Sequence, residues 1–386
     1  MAIDRLDGRR HDIDALRVLS FGTVIIYHAS LLYGTRTWLL NSDEPSRLMD
    51  LIHFGSNPWR MSLLFFISGL VTASLLKRKS IGEIRSSRTR QLLPPFLLGI
   101  VLVVPPQFYF SDLRSAPDLT YWEFLKSYFA AGLTMEHLWF LAYLWIYVFV
   151  WSIGYTRLER HWPRLSSGLA SLLTGVNLFV VPVVFFTALR IWLFPVFGQT
   201  LVVTTDLYAH VQYFSMFVSG ALLVNQPRFW QEIDRQLWMA LGLAIASFVP
   251  LAIIALAWPH DQLPSELVVV LRILRSIFQW CSIIALLAIF GRIASRPNPV
   301  VTYLNRSMMT YYIMHQTIIV ILAYYIGQAG MLDIWSFVPV VIITALICAL
   351  LAEMKKLALA CYASLVSKLS TSRRLPPNSP PSEVVG

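Results

Sequence analysis

The chain alternates between long apolar runs and short polar joints. The runs fall near 13–34, 58–76, 92–110, 136–156, 166–188, 207–225, 237–257, 267–290, 302–325 and 335–354. Each is close to the roughly 20 residues that a helix needs to cross a bilayer, where only a helix or a closed barrel satisfies its own backbone hydrogen bonds. The pattern predicts an all-α fold, a polytopic integral membrane helix bundle of about ten transmembrane helices. The joints set its orientation. With the N-terminus inside, Arg5, Arg9, Arg10, the bases from Lys77 to Arg90, then Arg157, Arg160, Arg164, Arg228, Arg235, Arg292, Arg296 and the bases from Lys355 to Arg374 all lie in the cytoplasm. That bias follows the positive-inside rule and predicts that both termini are cytoplasmic. In the long outer joint 111–135, YWEFLKSYF sets Trp122, Phe124, Leu125, Tyr128 and Phe129 beside Glu123 and Lys126, as in a helix lying along the interface. No internal repeat and no inverted pair of broken segments stands out. Residues 1–368 read as a single transmembrane domain, and 369–386, ending RRLPPNSPPSEVVG, read as a disordered cytoplasmic tail.

Composition narrows the class further. Aliphatic and aromatic residues make up 56% of the 386 residues and charged residues 13%, with a mean hydropathy of +0.61. Soluble domains carry about 25% charged residues, so no soluble domain is left to hold a separate activity. The net charge of +10 is largely the topology signal just described; it implies anionic lipid headgroups as partners and no nucleic acid. The first run is no signal peptide, because no small-residue cleavage site follows it and another span does. Cys281, Cys348 and Cys361 sit in or beside apolar runs without metal-ligand spacing, which argues against disulfides and bound metal.

The informative residues are the ionisable ones at bilayer depth, each costing at least about 2.5 kcal/mol on insertion scales. Arg17 and His28 share one face of the first span, about 16 Å apart along its axis, and Asp14 lies one turn before Arg17, placed to orient its guanidinium. Arg17 either snorkels to the interface or binds a ligand; His28 is either a satisfied structural imidazole or a reacting group. Arg272, Arg275, Ser276, Gln279 and Ser282 form a polar stripe on the eighth span that must face protein or water. Its two arginines either make an internal ion pair or grip a carboxylate or a sugar. Glu136 and His137 stand at the mouth of the fourth span, as a wet interfacial pair or as substrate contacts. His315 lies near mid-depth in the ninth span, with Tyr311 and Tyr312 beside it and Arg306 roughly opposite. There is no nucleotide-binding glycine loop, nucleophile elbow or paired metal motif.

Several of these residues carry a resemblance. Arg17 followed by His28, FFISG at Phe65 to Gly69, the arginine-rich turn ending Arg88, Arg90 and Pro94, HLWFL from His137, and TYLNRSMMTYYIMH ending at His315 together resemble the membrane acyltransferase family three. HASLLYGTRTWLLNSDEPS, PWRMSLLFFISG and EHLWFL are more similar still to the branch that succinylates osmoregulated periplasmic glucans. The resemblance covers Asp14 to about Glu353. It implies a bacterial inner-membrane transferase that moves an acyl group from cytoplasmic coenzyme A to a hydroxyl on the outer face, with His28 essential. No cofactor is held permanently; succinyl-CoA, or acetyl-CoA, is the donor, and a periplasmic glucan the acceptor.

On that reading Asp14, Arg17 and His28 form the catalytic line, His28 taking the proton of the attacking hydroxyl as general base. Arg17, Lys77, Arg88 and Arg90 suit the phosphates of coenzyme A, with lipid headgroups as the competing ligand for the bases at 77–79. Arg60 and Arg190, which align with arginines of the glucan branch, join Glu136, His137, Arg272, Arg275 and His315 as candidates for acceptor or succinyl recognition. Two alternatives stand beside this reading: an O-acetyltransferase acting on another surface polysaccharide, and a carrier or flippase for an anionic small molecule, for which buried Arg and His would be translocation ligands.

Overall fold

The structure, a computed structural model, describes residues 10–258 and 263–372. Among these the chain is helical throughout with no strand. The helices are α1 (His11–Tyr33), α2 (Arg47–Ser74), α3 (Ile81–Leu102), α4 (Pro105–Asp112), α5 (Tyr121–Ala131), α6 (Trp139–Leu158), α7 (Trp162–Leu172), α8 (Asn177–Ala188), α9 (Phe194–Phe197), α10 (Leu207–Leu223), α11 (Pro227–Arg235), α12 (Leu237–Ala257), α13 (Ser265–Ile293), α14 (Pro299–Gln328) and α15 (Phe337–Ser372). Local chemistry marks their starts. Ser80 with Glu83 and Thr120 with Glu123 form capping boxes at α3 and α5, and Asn298 caps α14 ahead of Pro299.

Nine of the described helical segments are long and apolar enough to cross a membrane, or ten where α10 and α11, which meet at 110°, count as one broken span. The spans coincide with the apolar runs except at the fifth. The run 166–188 is two elements: α7 closes at a turn where Gly175 has φ 58°, and the crossing helix starts at Asn177 and continues to Phe197. Leu172, Leu173 and Val176 keep the hydropathy high across that turn, so an apolar count runs straight through it. The expected tail begins within α15, which continues to Ser372; residues 373–386, like Arg5 and Arg9, lie outside the described residues. In the 111–135 joint, α5 buries Phe124 and Tyr128 and exposes Trp122, Lys126 and Phe129, the two-sided character that its sequence predicts.

The bundle is built on α2. Without water to drive apolar association, membrane helices pack through small residues that let backbones approach. Gly69 of α2 and Gly220 of α10 do this reciprocally. A Cβ on Gly69 would stand 1.8 Å from the Phe217 carbonyl oxygen, and one on Gly220 would stand 2.0 Å from that of Phe66. The large core spreads from this crossing through α6, α8 and α13. A smaller one joins Ile25, Ala29, Leu32 and Tyr33 of α1 to Ile319, Val320 and Ala323 of α14 and Val340 of α15. The residues with the most chemistry sit where these two cores meet along α1.

Candidate active site

Three imidazoles cluster near the C-terminal end of α1. His28 and His315 have ring centroids 5.0 Å apart, and His137 lies 5.1 Å from His315 and 6.5 Å from His28. Their hydrogen bonds assign the protons. His315 Nδ1 faces the carbonyl oxygens of Tyr311 (3.0 Å) and Tyr312 (2.8 Å), which only accept, so it carries the hydrogen and leaves Nε2 as a lone pair. That Nε2 lies 3.1 Å from His28 Nδ1, which is also 3.0 Å from the Val24 carbonyl oxygen. Two acceptors around His28 Nδ1 put its hydrogen there and leave Nε2 unprotonated, with no hydrogen-bond partner among the described residues. His137 donates from Nε2 to the Ile313 carbonyl (2.9 Å), and its buried Nδ1 has no hydrogen-bond partner among the described residues. Tyr312 donates to the His137 carbonyl oxygen and ties α14 to the mouth of α6.

His28 and His137 line a cavity of about 600 Å³. Into its wall come Arg36, Arg60, Arg190, Arg272 and Arg275 against a single carboxylate, Glu136, with Tyr27, Trp38, Trp139, Tyr208 and Tyr213 between them. Arg60 is 3% exposed; its guanidinium lies 4.0 Å over the Tyr27 ring, which is edge-on to His28 at 4.9 Å, and Nη1 reaches Ser56 Oγ at 3.3 Å. Arg190 is carried on a five-residue π turn, 189–193, a wider turn of the kind frequent at functional sites. All three of its nitrogens are held, by Ser276 Oγ (3.1 Å), Tyr208 OH (2.7 Å) and Gln279 Oε1. Arg275 donates to Asn57 Oδ1. Among the described residues none of the five arginines is in an ion pair, so the cavity is strongly cationic. Outside the spans, burial holds the Arg36 guanidinium below its ordinary pKa, the price of a partly desolvated charge.

Glu136 (φ 42°) and Leu201 (φ 57°) are the non-glycine residues with positive φ among those described, and both line this cavity. Such backbone costs of order 1–3 kcal/mol and persists where its surroundings over-determine it. Here the surroundings are visible: Asp206 Oδ2 accepts from Leu201 N–H (3.0 Å) and from Tyr143 OH (2.8 Å), and Thr134 Oγ1 reaches Glu136 (3.4 Å).

The other predicted residues lie toward the far end of α1. Arg17 Nη1 is 3.5 Å from Asn305 Oδ1. Arg88 is close enough for its charge to interact with that of Arg17; it reaches Thr72 Oγ1 (3.4 Å) and Gln91 (3.3 Å), and its buried Nε has no hydrogen-bond partner among the described residues. Lys77 and Arg90 are exposed, Arg90 turning back to the Ser86 carbonyl (3.4 Å). Asp14 sits at the start of α1 beside His11, Arg296 and Asn298. Thus Arg60, Glu136, His137, Arg190, Arg272 and Arg275 gather with His28 in one cavity and His315 backs it, while Arg17 and Arg88 form a second cationic point down α1.

Sequence reasoning missed Tyr27, Arg36, Trp38, His53, Asn57, Gln199, Tyr208, Tyr213 and Gln316. The available signals were proximity for Arg36 and Trp38, within ten residues of His28, and helical spacing for Asn57, one turn before Met61 on the Arg60 segment. The loop residue Gln199 carries no such periodic mark.

A helical bundle with nine described helices long and apolar enough to cross a membrane, and a histidine-lined cationic cavity inside it, defines a multi-pass membrane protein. The chain belongs to the family described as acyltransferase domain, matched over residues 10–353. It is similar to the glucans biosynthesis protein C of Shigella dysenteriae serotype 1 (strain Sd197), 30% identical over 141 residues, 35% of this chain and 36% of that protein. The protein of the same name from Escherichia coli (strain SMS-3-5) matches with the same identity and coverage. The matched part spans about a third of the length of these curated relatives. No solved structure matches.

Proposed function

We propose that the protein is a transmembrane O-acyltransferase that moves succinyl from cytoplasmic succinyl-CoA to hydroxyls of periplasmic glucans, in the bacterial inner membrane with both termini inside. The observation that carries the reading is the proton placement at His28, which offers a bare Nε2 to a cationic cavity. A general base must be neutral and within reach of the hydroxyl whose proton it takes.

In the proposed reaction the acceptor oxygen attacks the thioester carbonyl carbon while His28 Nε2 takes the hydroxyl proton. The tetrahedral adduct collapses, the C–S bond breaks, and His28 returns the proton to the departing thiolate, so the ester forms and free coenzyme A leaves. Arg17 and Arg88 are suited to the donor's phosphates, with Lys77 and Arg90 exposed nearby for the same anion. His137 Nδ1 is a free acceptor for a second hydroxyl of the sugar, and Trp38, Trp139 and Tyr213 supply flat surfaces for it. Arg60, stacked beside His28, is the arginine suited to the succinyl carboxylate, because a buried carboxylate needs a paired cation.

General base action is worth roughly 100-fold to 10,000-fold. His28→Gln and His28→Ala are therefore expected to lose at least about 100-fold of succinyl transfer in purified protein while keeping thermal stability. Near wild-type turnover by either folded variant would overturn the assignment.

A further inference from the structure

The cationic groups of the cavity divide into two sets. Arg60 stands with the imidazoles, stacked on the Tyr27 ring that is itself edge-on to His28. Arg275 is held instead by Asn57 Oδ1, and Arg190 is bound to Ser276, one turn from Arg272 on α13. A succinyl thioester places its carboxylate three C–C bonds of about 1.5 Å from the reacting carbon, a short reach suited to Arg60, which stacks on the Tyr27 ring that is edge-on to His28. One carboxylate needs one fork. Arg190 and Arg275 then remain, hydrogen-bonded to neutral Ser, Tyr, Gln and Asn groups, with Arg272 and Arg36, the latter near the Asp50 carboxylate, lining the same cavity and none of the four in an ion pair among the described residues. A neutral sugar does not need four guanidinium groups. Partly desolvated cations of this kind call for an anion.

We propose that Arg190, Arg272 and Arg275, with Arg36 beside them, form a second anion subsite that takes a half-ester carboxylate already present on the acceptor. The inference rests on the succinyl-transfer reading, because that reaction itself generates this anion: each transfer leaves one carboxylate on the glucan. The product of one turnover is thereby a better acceptor for the next, and substituents accumulate on chains that already bear one. Tyr27, Trp139 and Tyr213, which line the same cavity, would hold the sugar.

The test uses the full-length protein in lipid nanodiscs with radiolabelled succinyl-CoA and two acceptors of equal length, one unsubstituted glucan and one carrying a single succinyl half-ester. The expected result is a kcat/KM for the half-ester glucan on the order of tenfold higher, as one charge-assisted contact supplies, and a distribution of substituents broader than random. Arg272→Gln and Arg275→Gln are expected to bring the ratio of the two acceptors toward one; because the ratio is read on one preparation, a general loss of active protein cancels. Equal use of both acceptors by the wild-type protein, with a random distribution, overturns the second subsite even where transfer is robust. A phosphate-bearing glucan preferred while the half-ester glucan matches the neutral one also overturns it. Absence of labelling on every acceptor overturns the succinyl-transfer reading together with the inference.

Discussion

A neutral imidazole can orient another only if its own hydrogen is anchored elsewhere, and at His315 the anchor is the α14 backbone. The Tyr311 and Tyr312 carbonyls take its Nδ1 hydrogen, so its Nε2 is free to hold the Nδ1 hydrogen of His28. Under the proposed chemistry His315 is a positioning residue, selecting the tautomer that points a base at the cavity. His315→Ala is expected to lower kcat about 10-fold to 100-fold, with KM for donor and acceptor within about twofold, and His315→Gln, which retains an acceptor, to recover part of the loss. A variant that changes KM alone would show a binding role instead. The protonated form of His28 has no lone pair to offer, so the transfer rate should fall as pH is lowered through its titration; the residual rate of His28→Gln should lack that limb in a kcat against pH profile. At Arg60 the expected outcome is a change of donor preference. Arg60→Gln should depress succinyl transfer at least about tenfold more than acetyl transfer in competition between the two coenzyme A thioesters, and an unchanged ratio would rule out carboxylate selection there. His28 was legible in sequence because an ionisable group at bilayer depth is conspicuous, and Arg60 because its PWRMSLLFFISG segment resembles the glucan branch. Tyr27 and Tyr208 were not, since a tyrosine near a span end is ordinary and only the fold turns it toward the arginines.

At the scale of elements, hydropathy located the crossings and missed what happens inside them. The π turn that swings Arg190 into the cavity changes no apolar count, and neither does the Gly175 turn that splits the expected fifth span. The polar stripe on α13 was legible as a stripe; its destination was not. Ser276 and Gln279 face Arg190, and Gln279 also donates to Ser62 Oγ of α2 at 3.0 Å, so the stripe is a mount for an arginine on another element. The glycine of FFISG likewise has a packing reason, the backbone crossing of α2 and α10. Gly69→Ala and Gly220→Ala should each lower thermal stability in detergent, by about 3 kcal/mol or more, since overpacking costs typically 1–3 kcal/mol and the opposing atom here is a carbonyl oxygen that cannot swing aside. Wild-type melting of either variant would mean that the two helices do not approach this closely.

For the whole molecule, the ten-crossing reading predicts sidedness. With exposed Cys361 changed to serine to remove its background, single cysteines at the exposed positions Ser86 and Asp118 should react with an impermeant thiol reagent from opposite sides of sealed vesicles. Labelling of both from one side would break the topology. The two cores add a constraint of another kind. The His28 to His315 bond spans their seam, joining the first crossing to the ninth across 287 residues of chain. At synthesis rates of about 5–20 residues per second, roughly 15 to 60 s pass between the emergence of the two imidazoles. During that interval α1 is in the bilayer with its histidine but without the partner that sets its tautomer. Under the proposed chemistry, a nascent or prematurely terminated chain is therefore silent toward thioesters, and the reactive state is reached only once the rest of the bundle has closed around it.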